Sequence, residues 1–411
     1  MMKALQLHCA RPIAQRHITL TGSKSETNRV LLLKALYSNL ELLNDSNAHD
    51  VDMMKQGLSK TSGTVDIHHA GTAMRFLTAY FAALEGSDVL LTGSARMKQR
   101  PIKILVDALR ALGAQVTYAE NEGFPPLQIK GKALEGGNLR MRADVSSQYL
   151  SALCLVAPKF QKGLSLTFEG ALTSIPYLKM TLKLLESIGI SSELNHEGVR
   201  VFSKNAIDDQ ALAVESDWSA ASYYYSIVAL SPAGTSLQLG VLKNDSLQGD
   251  RVLADLYADF GVETRFDSNT VHLYKSGTAK DAVAYDLRDA PDIAQTIAVT
   301  AAGLGMHCTM TGLHTLPIKE TDRLAAMKAE LEKCGVQVTI TDESLEVHAR
   351  KQALVSATIS TYNDHRMAMA FAPMALCVPL VIEDPMVVEK SYPDFWKDLE
   401  SLGFDCTSKA E

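Results

Sequence analysis

Apolar positions along the chain fall into two alternating patterns. In the first, an amphipathic stretch ends on a glycine and passes into a short strand-like run, as in Leu109-Arg-Ala-Leu-Gly113-Ala-Gln-Val-Thr and Leu331-Glu-Lys-Cys-Gly335-Val-Gln-Val-Thr. The arrangement also occurs at Gly189, Gly261 and Gly403, so that successive glycines are 76, 72, 74 and 68 positions apart. Glycine suits a helix C-terminus because it adopts the left-handed conformation without a Cβ clash. In the second pattern, segments open polar and then turn apolar on nearly every face, beginning near Ser25, Thr72, Ser147, Trp218, Asp292 and Asp364. From Thr72 onward their spacing is 75, 71, 74 and 72. A helix apolar all round belongs inside a protein rather than on its surface.

Each unit of about 70 residues therefore reads as strands with one buried and one surface helix, which makes the chain α/β with six repeated units. Three buried helices begin within residues 22–216 and three within 217–411, so the expectation is two lobes of three units, 1–21 plus 217–411 and 22–216. Ser25 and Thr72 are only 47 positions apart. The first unit is therefore expected to be truncated by roughly 25 residues against the internal period, at the expense of its surface helix.

Composition narrows the function. Of 411 residues 46% are apolar and 21% charged, enough for large cores and unlike a disordered chain. Forty basic against forty-seven acidic residues give a net charge of −7, which argues against a general binder of nucleic acid or anionic membranes. An anionic ligand must then be held by a local cluster. The six cysteines are dispersed with no Cys-x-x-Cys pair, pointing to a reducing compartment and no structural zinc. The first twenty residues interleave Lys3, His8, Arg11, Arg16 and His17 with apolar residues, unlike a secretory signal, so a cytoplasmic location is expected.

The unusual polar residues gather where the buried helices begin: Gly22 to Arg29, Ala70 to Arg75, Ser146-Ser147-Gln148, Ala290-Pro291-Asp292 and Asn363-Asp364-His365-Arg366. Helix N-termini expose unpaired N–H groups and the positive end of the dipole, so several such ends facing one cleft would trap anions. Gly22-Ser23-Lys24-Ser25 is not a nucleotide P-loop, because position 18 is isoleucine where that motif needs glycine. Lys319 and Arg323 are four apart, which predicts a shared helix face with Glu320 pointing aside; an ordinary surface turn with an ion pair accounts for that spacing equally well.

Taken in order, Gly22-Ser-Lys-Ser-x-x-Asn-Arg29, Ala70-Gly-Thr-Ala-Met-Arg75, Arg96-Met-Lys-x-Arg-Pro-Ile102, Val145-Ser-Ser-Gln148, Pro291-Asp292, Lys319-Glu-Thr-Asp-Arg323, Tyr362-Asn-Asp-His-Arg-Met-Ala368 and Lys390-x-Tyr-Pro-Asp394 resemble the motifs of the 5-enolpyruvylshikimate-3-phosphate synthase family. The resemblance runs from about residue 20 to about residue 400. It implies two lobes, each an inside-out α/β barrel of three units. It also implies transfer of the enolpyruvyl group of phosphoenolpyruvate to the 5-hydroxyl of shikimate 3-phosphate, through a tetrahedral intermediate and with release of phosphate.

Carried over position by position, the resemblance assigns Lys24, Gly71, Arg100, Gln148, Arg323, Arg366 and Lys390 to phosphoenolpyruvate. To shikimate 3-phosphate it assigns Lys24, Ser25, Arg29, Ser146, Ser147, Gln148, Ser174, Tyr177, Asp292, Thr315 and Lys319. Asp292 is the implied base and Glu320 the implied acid, with Lys24 and Lys319 also catalytic. The lobe 22–216 would then carry most of the shikimate 3-phosphate contacts, and the lobe 1–21 plus 217–411 the base, the acid and most phosphoenolpyruvate contacts. Thr315 departs from the family, which commonly has Asn there, as do His69 and Phe76, which stand for Asn and Pro.

Two rival readings are an enolpyruvyl transferase acting on UDP-N-acetylglucosamine and a non-catalytic anion-binding homologue. The first uses a loop cysteine and a Lys-Asn pair, where this chain has no cysteine between Arg96 and Pro101 and reads Lys24-Ser25. The expected partners are the two small-molecule substrates alone. Neither cofactor nor metal is expected, nor nucleic acid or membrane, and the chain is expected to be a monomer.

Overall fold

The computed structural model describes residues 3–9, 16–142, 147–170 and 174–409. It is a mixed α/β protein whose chain divides into two compact units, Met1–Thr21 with Glu215–Glu411, and Gly22–Val214.

In the unit Gly22–Val214 the helices Lys24–Leu36, Gly71–Ala83 and Ser147–Val156 pack on one another. In Gly71–Ala83 burial follows from composition, every residue from Ala73 to Ala82 being buried in a mostly apolar helix, whereas in Lys24–Leu36 the buried stretch Glu26 to Leu33 opens with four polar residues. Strands alternate instead. In Asp88–Thr92, Val89 and Leu91 are buried while Asp88 is exposed, the mark of a sheet with one face toward a core. The other unit repeats the plan: the helices Trp218–Leu230 and His365–Phe371 each pack on Ala294–Leu304. There the few polar side chains inside the helices bond to one another, with Ser222 Oγ 3.0 Å from Thr296 Oγ1 and Thr300 Oγ1 donating to Ser226 Oγ at 2.8 Å. Pairing these hydroxyls removes the cost of burying them.

Among the described residues there are five four-stranded sheets with one pairing pattern, a parallel pair followed by two antiparallel pairings; three are built from successive strands, while the other two take in Ala4–His8 and Arg16–Thr19 from the start of the chain. In the unit Gly22–Val214, Ser62–Asp66 runs parallel to Asp88–Thr92, which pairs antiparallel with Leu127–Lys130 and onward to Gln115–Tyr118. In the other unit, Ala282–Asp286 beside His307–Thr311 begins the same series. A sixth sheet holds only the parallel pair Leu40–Leu43 and Gln210–Ala213. The short spacing from Ser25 to Thr72 thus goes with a sheet that has no antiparallel hairpin among the described residues. The surface helix expected to be missing is present as His49–Leu58, which buries Val51, Met53, Met54 and Gly57.

The five glycines of the first pattern all have positive φ, from 76° at Gly189 to 92° at Gly113 and Gly403. No helix among the described residues is long and apolar enough to cross a membrane.

Candidate functional site

The expected site residues form two sets, one in each unit. In the unit Gly22–Val214, Ser23 caps the helix Lys24–Leu36, its Oγ accepting from Glu26 N at 3.4 Å, which places Lys24, Ser25 and Arg29 in the first two turns. Lys24 Nζ lies 3.0 Å from Asp50 Oδ2, a carboxylate outside every motif named above. Arg29 is buried. Its Nε donates to Thr181 Oγ1 at 2.8 Å, Nη1 to the Ser25 carbonyl at 2.7 Å, and Nη2 to Ser151 Oγ at 3.3 Å and the Tyr177 carbonyl at 3.2 Å. Burial lowers its pKa to about 10, against smaller opposing effects of Tyr177 and Glu26. Ser174 directly precedes the neighbouring helix Ile175–Ser187 in a left-handed conformation, φ 52°. Gln148 Nε2 donates to Thr72 Oγ1 at 3.4 Å. Ser147 is buried at the start of its helix, and Ser146 lies outside the described residues.

Gly71 opens the helix Gly71–Ala83 directly against Arg100: a Cβ at this position would stand 2.5 Å from Arg100 Nη1. Arg75, one turn along, donates to the Gly71 carbonyl at 3.2 Å and to the Pro101 carbonyl at 3.1 Å. It ties the helix start to the loop carrying Arg100. No role was expected for Arg75, although it sits inside a quoted motif.

In the other unit one charged network collects most of the expected residues. Asp292 Oδ1 accepts from Arg323 Nη1 at 2.9 Å with Lys319 Nζ at 3.5 Å, while its Oδ2 accepts from Arg366 Nη2 at 3.0 Å. Glu320 accepts from Arg323 Nη2 at 2.9 Å on one oxygen and from Lys390 Nζ at 2.8 Å on the other. Arg323 Nε donates to Asp364 Oδ2 at 2.7 Å, and Asp364 also accepts from the Arg366 backbone N at 2.9 Å, capping its helix. Four cations thus face three carboxylates. Burial would raise Asp292, but Arg366, Lys319 and Arg323 outweigh it and hold the carboxyl well below its usual range. Thr315 is buried with no hydrogen-bond partner for its hydroxyl among the described residues.

The expected helix face through Lys319 and Arg323 is not formed. Asp322 accepts from Leu324 N and Ala325 N at 3.1 Å and starts the helix at Arg323, leaving Lys319 and Glu320 in the approach to it. The cap makes Glu320 turn toward Arg323 rather than aside. Asp364, Ser219 and Asp250 also belong to the network or touch it. Only Asp364 left a trace in the sequence, as a helix-cap residue within a quoted motif.

Among the described residues, His307, Glu346 and His348 bring ligand-type atoms within 4.8 Å of one another. Ring nitrogens of this group meet hydroxyls of the same sheet, His307 Nε2 lying 3.4 Å from Thr309 Oγ1 and His348 Nε2 2.8 Å from Thr339 Oγ1.

Comparison with known proteins places the chain in a family. The family model for EPSP synthase (3-phosphoshikimate 1-carboxyvinyltransferase) matches residues 44–399, and the chain belongs to that family. It is 42% identical over 391 residues to a 3-phosphoshikimate 1-carboxyvinyltransferase of Bacteroides fragilis, covering 94% of this chain and 95% of the relative. A protein of the same name from Aliivibrio salmonicida is 36% identical over 416 residues, covering 94% and 96%. The structure of EPSP synthase from Acinetobacter baumannii superposes with a TM-score of 0.79 at 19% identity, covering 98% of this chain and 100% of that one, a likeness of fold.

Proposed function

We propose that the chain catalyses the 3-phosphoshikimate 1-carboxyvinyltransferase reaction, moving the enolpyruvyl group of phosphoenolpyruvate onto the 5-hydroxyl of shikimate 3-phosphate and releasing phosphate. The observation that carries this reading is the network around Arg323. The two carboxylates assigned to proton transfer, Asp292 and Glu320, are each held by cations assigned to phosphoenolpyruvate.

That pairing suggests how binding and proton transfer are linked. Phosphoenolpyruvate brings a carboxylate and a phosphate to Arg323, Arg366 and Lys390, and so competes with Glu320 for Lys390 and Arg323. Loss of those partners and arrival of like charge both raise the proton affinity of Glu320. Glu320 then delivers a proton to the methylene carbon, while Asp292 takes the proton of the attacking hydroxyl. In the elimination half the methyl group returns a proton to Glu320, Asp292 gives up its proton to the leaving phosphate, and the double bond re-forms. Lys319 beside Asp292 stabilises the charge that this step moves, and Lys24 with Arg100 and Gln148 completes the phosphoenolpyruvate set. Gly71 lets the backbone approach Arg100 closely. Ser25, Arg29, Ser146, Ser147, Ser174, Tyr177 and Thr315 serve shikimate 3-phosphate.

The same reading makes each unit an inside-out α/β barrel of three repeats, six in all with the first shortened, in a cytoplasmic monomer. The shared pairing pattern of the five four-stranded sheets supports the repeat. A coupled phosphate-release assay tests the function. Release is expected with phosphoenolpyruvate and shikimate 3-phosphate together. Release only with UDP-N-acetylglucosamine as acceptor would favour the first rival, and no release from folded protein would favour a non-catalytic homologue.

A further inference from the structure

A carboxyl group not used above lies one hydroxyl away from the charged network. Asp250, in the turn Gly249–Val252, is buried, and its Oδ2 accepts a hydrogen bond from Ser219 Oγ. Ser219 Oγ in turn accepts from Arg366 Nη2 at 3.3 Å, the same nitrogen that donates to Asp292 Oδ2 at 3.0 Å. The other oxygen of Asp250, Oδ1, has no hydrogen-bond partner among the described residues. A buried carboxyl satisfied on one side only costs stability, and an apolar residue would fill the place without that cost. Its single partner is the hydroxyl that receives Arg366.

We propose that Asp250 is a positioning residue for Arg366: by fixing the Ser219 hydroxyl as an acceptor, it holds the guanidinium in the orientation in which it meets phosphoenolpyruvate. This rests on the assignment of Arg366 to that substrate. With its proton engaged by Asp250, Ser219 turns its lone pairs to Arg366; without Asp250 the hydroxyl rotates freely and Arg366 loses a directed acceptor beside Asp292.

Charge adds a second consequence. The charged groups facing Asp250 are Asp292, Arg366 and Asp217; burial first, and then Asp292, push its carboxyl up to about 7. An anion arriving at Arg366 disfavours the ionised form further, so phosphoenolpyruvate binding draws a proton from water onto Asp250. Affinity for phosphoenolpyruvate accordingly weakens as pH rises through neutrality.

The test is steady-state kinetics at saturating shikimate 3-phosphate, from the acid to the alkaline side of neutrality, on Asp250→Ala, Asp250→Asn, Ser219→Ala, the Asp250→Ala/Ser219→Ala double variant and Arg366→Lys. Asp250→Ala and Ser219→Ala are each expected to raise KM for phosphoenolpyruvate about tenfold with kcat within about threefold, the signature of lost binding rather than lost chemistry. The double variant is expected to be no worse than either single one, because both break one chain of contacts. Asp250→Asn keeps an oxygen for Ser219, so it should recover most of the KM while losing its rise through neutrality. Unchanged KM in Asp250→Ala and Ser219→Ala, or additive effects in the double variant, would overturn the proposal. If Asp250→Ala does not fold, the pH profile of Asp250→Asn decides, and a profile like that of the parent protein counts against it. Arg366→Lys separates the two levels: unchanged KM there removes the assignment of Arg366 itself, whereas a raised KM beside an unaffected Ser219→Ala removes only the role of Asp250.

Discussion

Two arginines, one in each unit, solve the same physical problem in opposite ways. Arg29 and Arg323 are both 2% exposed, yet Arg29 makes no ion pair among the described residues, whereas Arg323 bonds to Asp292, Glu320 and Asp364. Arg29 is held by two hydroxyls and two carbonyls, with the Phe76 and Tyr177 rings 5.4 and 5.9 Å from its carbon. These bonds satisfy donors without cancelling charge, and burial lowers the pKa. At Arg323 burial acts in the same direction, but Asp364, Glu320 and Asp292 overcome it and raise the pKa. The lesson concerns what each site offers an anion. Around Arg29 no carboxylate bonds to the guanidinium among the described residues and Glu26 acts only at a distance, so an anion meets a positive charge without displacing a bonded carboxylate. Around Arg323 an anion must displace one, and the displaced carboxylate becomes a base or an acid.

The largest effect should come from Arg323→Ala, which leaves three carboxylates facing each other with one cation fewer. It is expected to cost about 3–5 kcal/mol in denaturant unfolding and to abolish measurable turnover. Arg29→Met removes a charge to which no carboxylate bonds among the described residues and leaves hydroxyls and carbonyls that can partly re-pair. Its stability cost should be smaller, about 1–3 kcal/mol, with KM for shikimate 3-phosphate raised on the order of 100-fold. Equal stability losses at the two arginines would break the contrast. Gly71→Ala should displace the Arg100 side chain, whose Nη1 would stand 2.5 Å from the new Cβ. Since a flexible side-chain end can yield, the expectation is a KM for phosphoenolpyruvate raised about tenfold with thermal stability little changed.

The smallest effect concerns pH, and two carboxyls of one neighbourhood should show opposite signs. Asp292 is held below its unfolded value, so its contribution is complete above about pH 4 and is lost as the pH falls through the folded value. Asp250 is raised to about 7, so the folded state binds the extra proton and stability falls as pH rises from the unfolded carboxylate value toward 7. Thermal unfolding of Asp250→Asn across this window should lose that decline; an unaltered slope would show that other groups cause it.

How far the sequence reached differs between local and distant features. Buried helices, helix-ending glycines and the cap at Asp364 depend on residues a few positions apart, and so could be read from spacing. The two-stranded sheet could not: the pairing of Leu40–Leu43 with Gln210–Ala213 depends on strands about 170 positions apart. The partners Asp50, Thr181, Ser151, Ser219 and Asp250 escaped for the same reason, being ordinary polar residues that matter only through the fold. Glu320 was misdirected by a local rule. A continuous helix through Lys319 and Arg323 satisfies their spacing, but the Asp322 cap starts the helix later and turns Glu320 into the network.

The central claim, that Glu320 is freed from Lys390 and Arg323 to carry a proton to and from the methylene carbon, is tested most directly by turnover in deuterium oxide with mass and NMR analysis of the vinyl group. Deuterium is expected in the methylene positions of the product and of recovered phosphoenolpyruvate, and Glu320→Gln should suppress it together with phosphate release. Turnover by the unaltered chain without deuterium entering that carbon, or exchange in Glu320→Gln at the parent rate, would contradict the account.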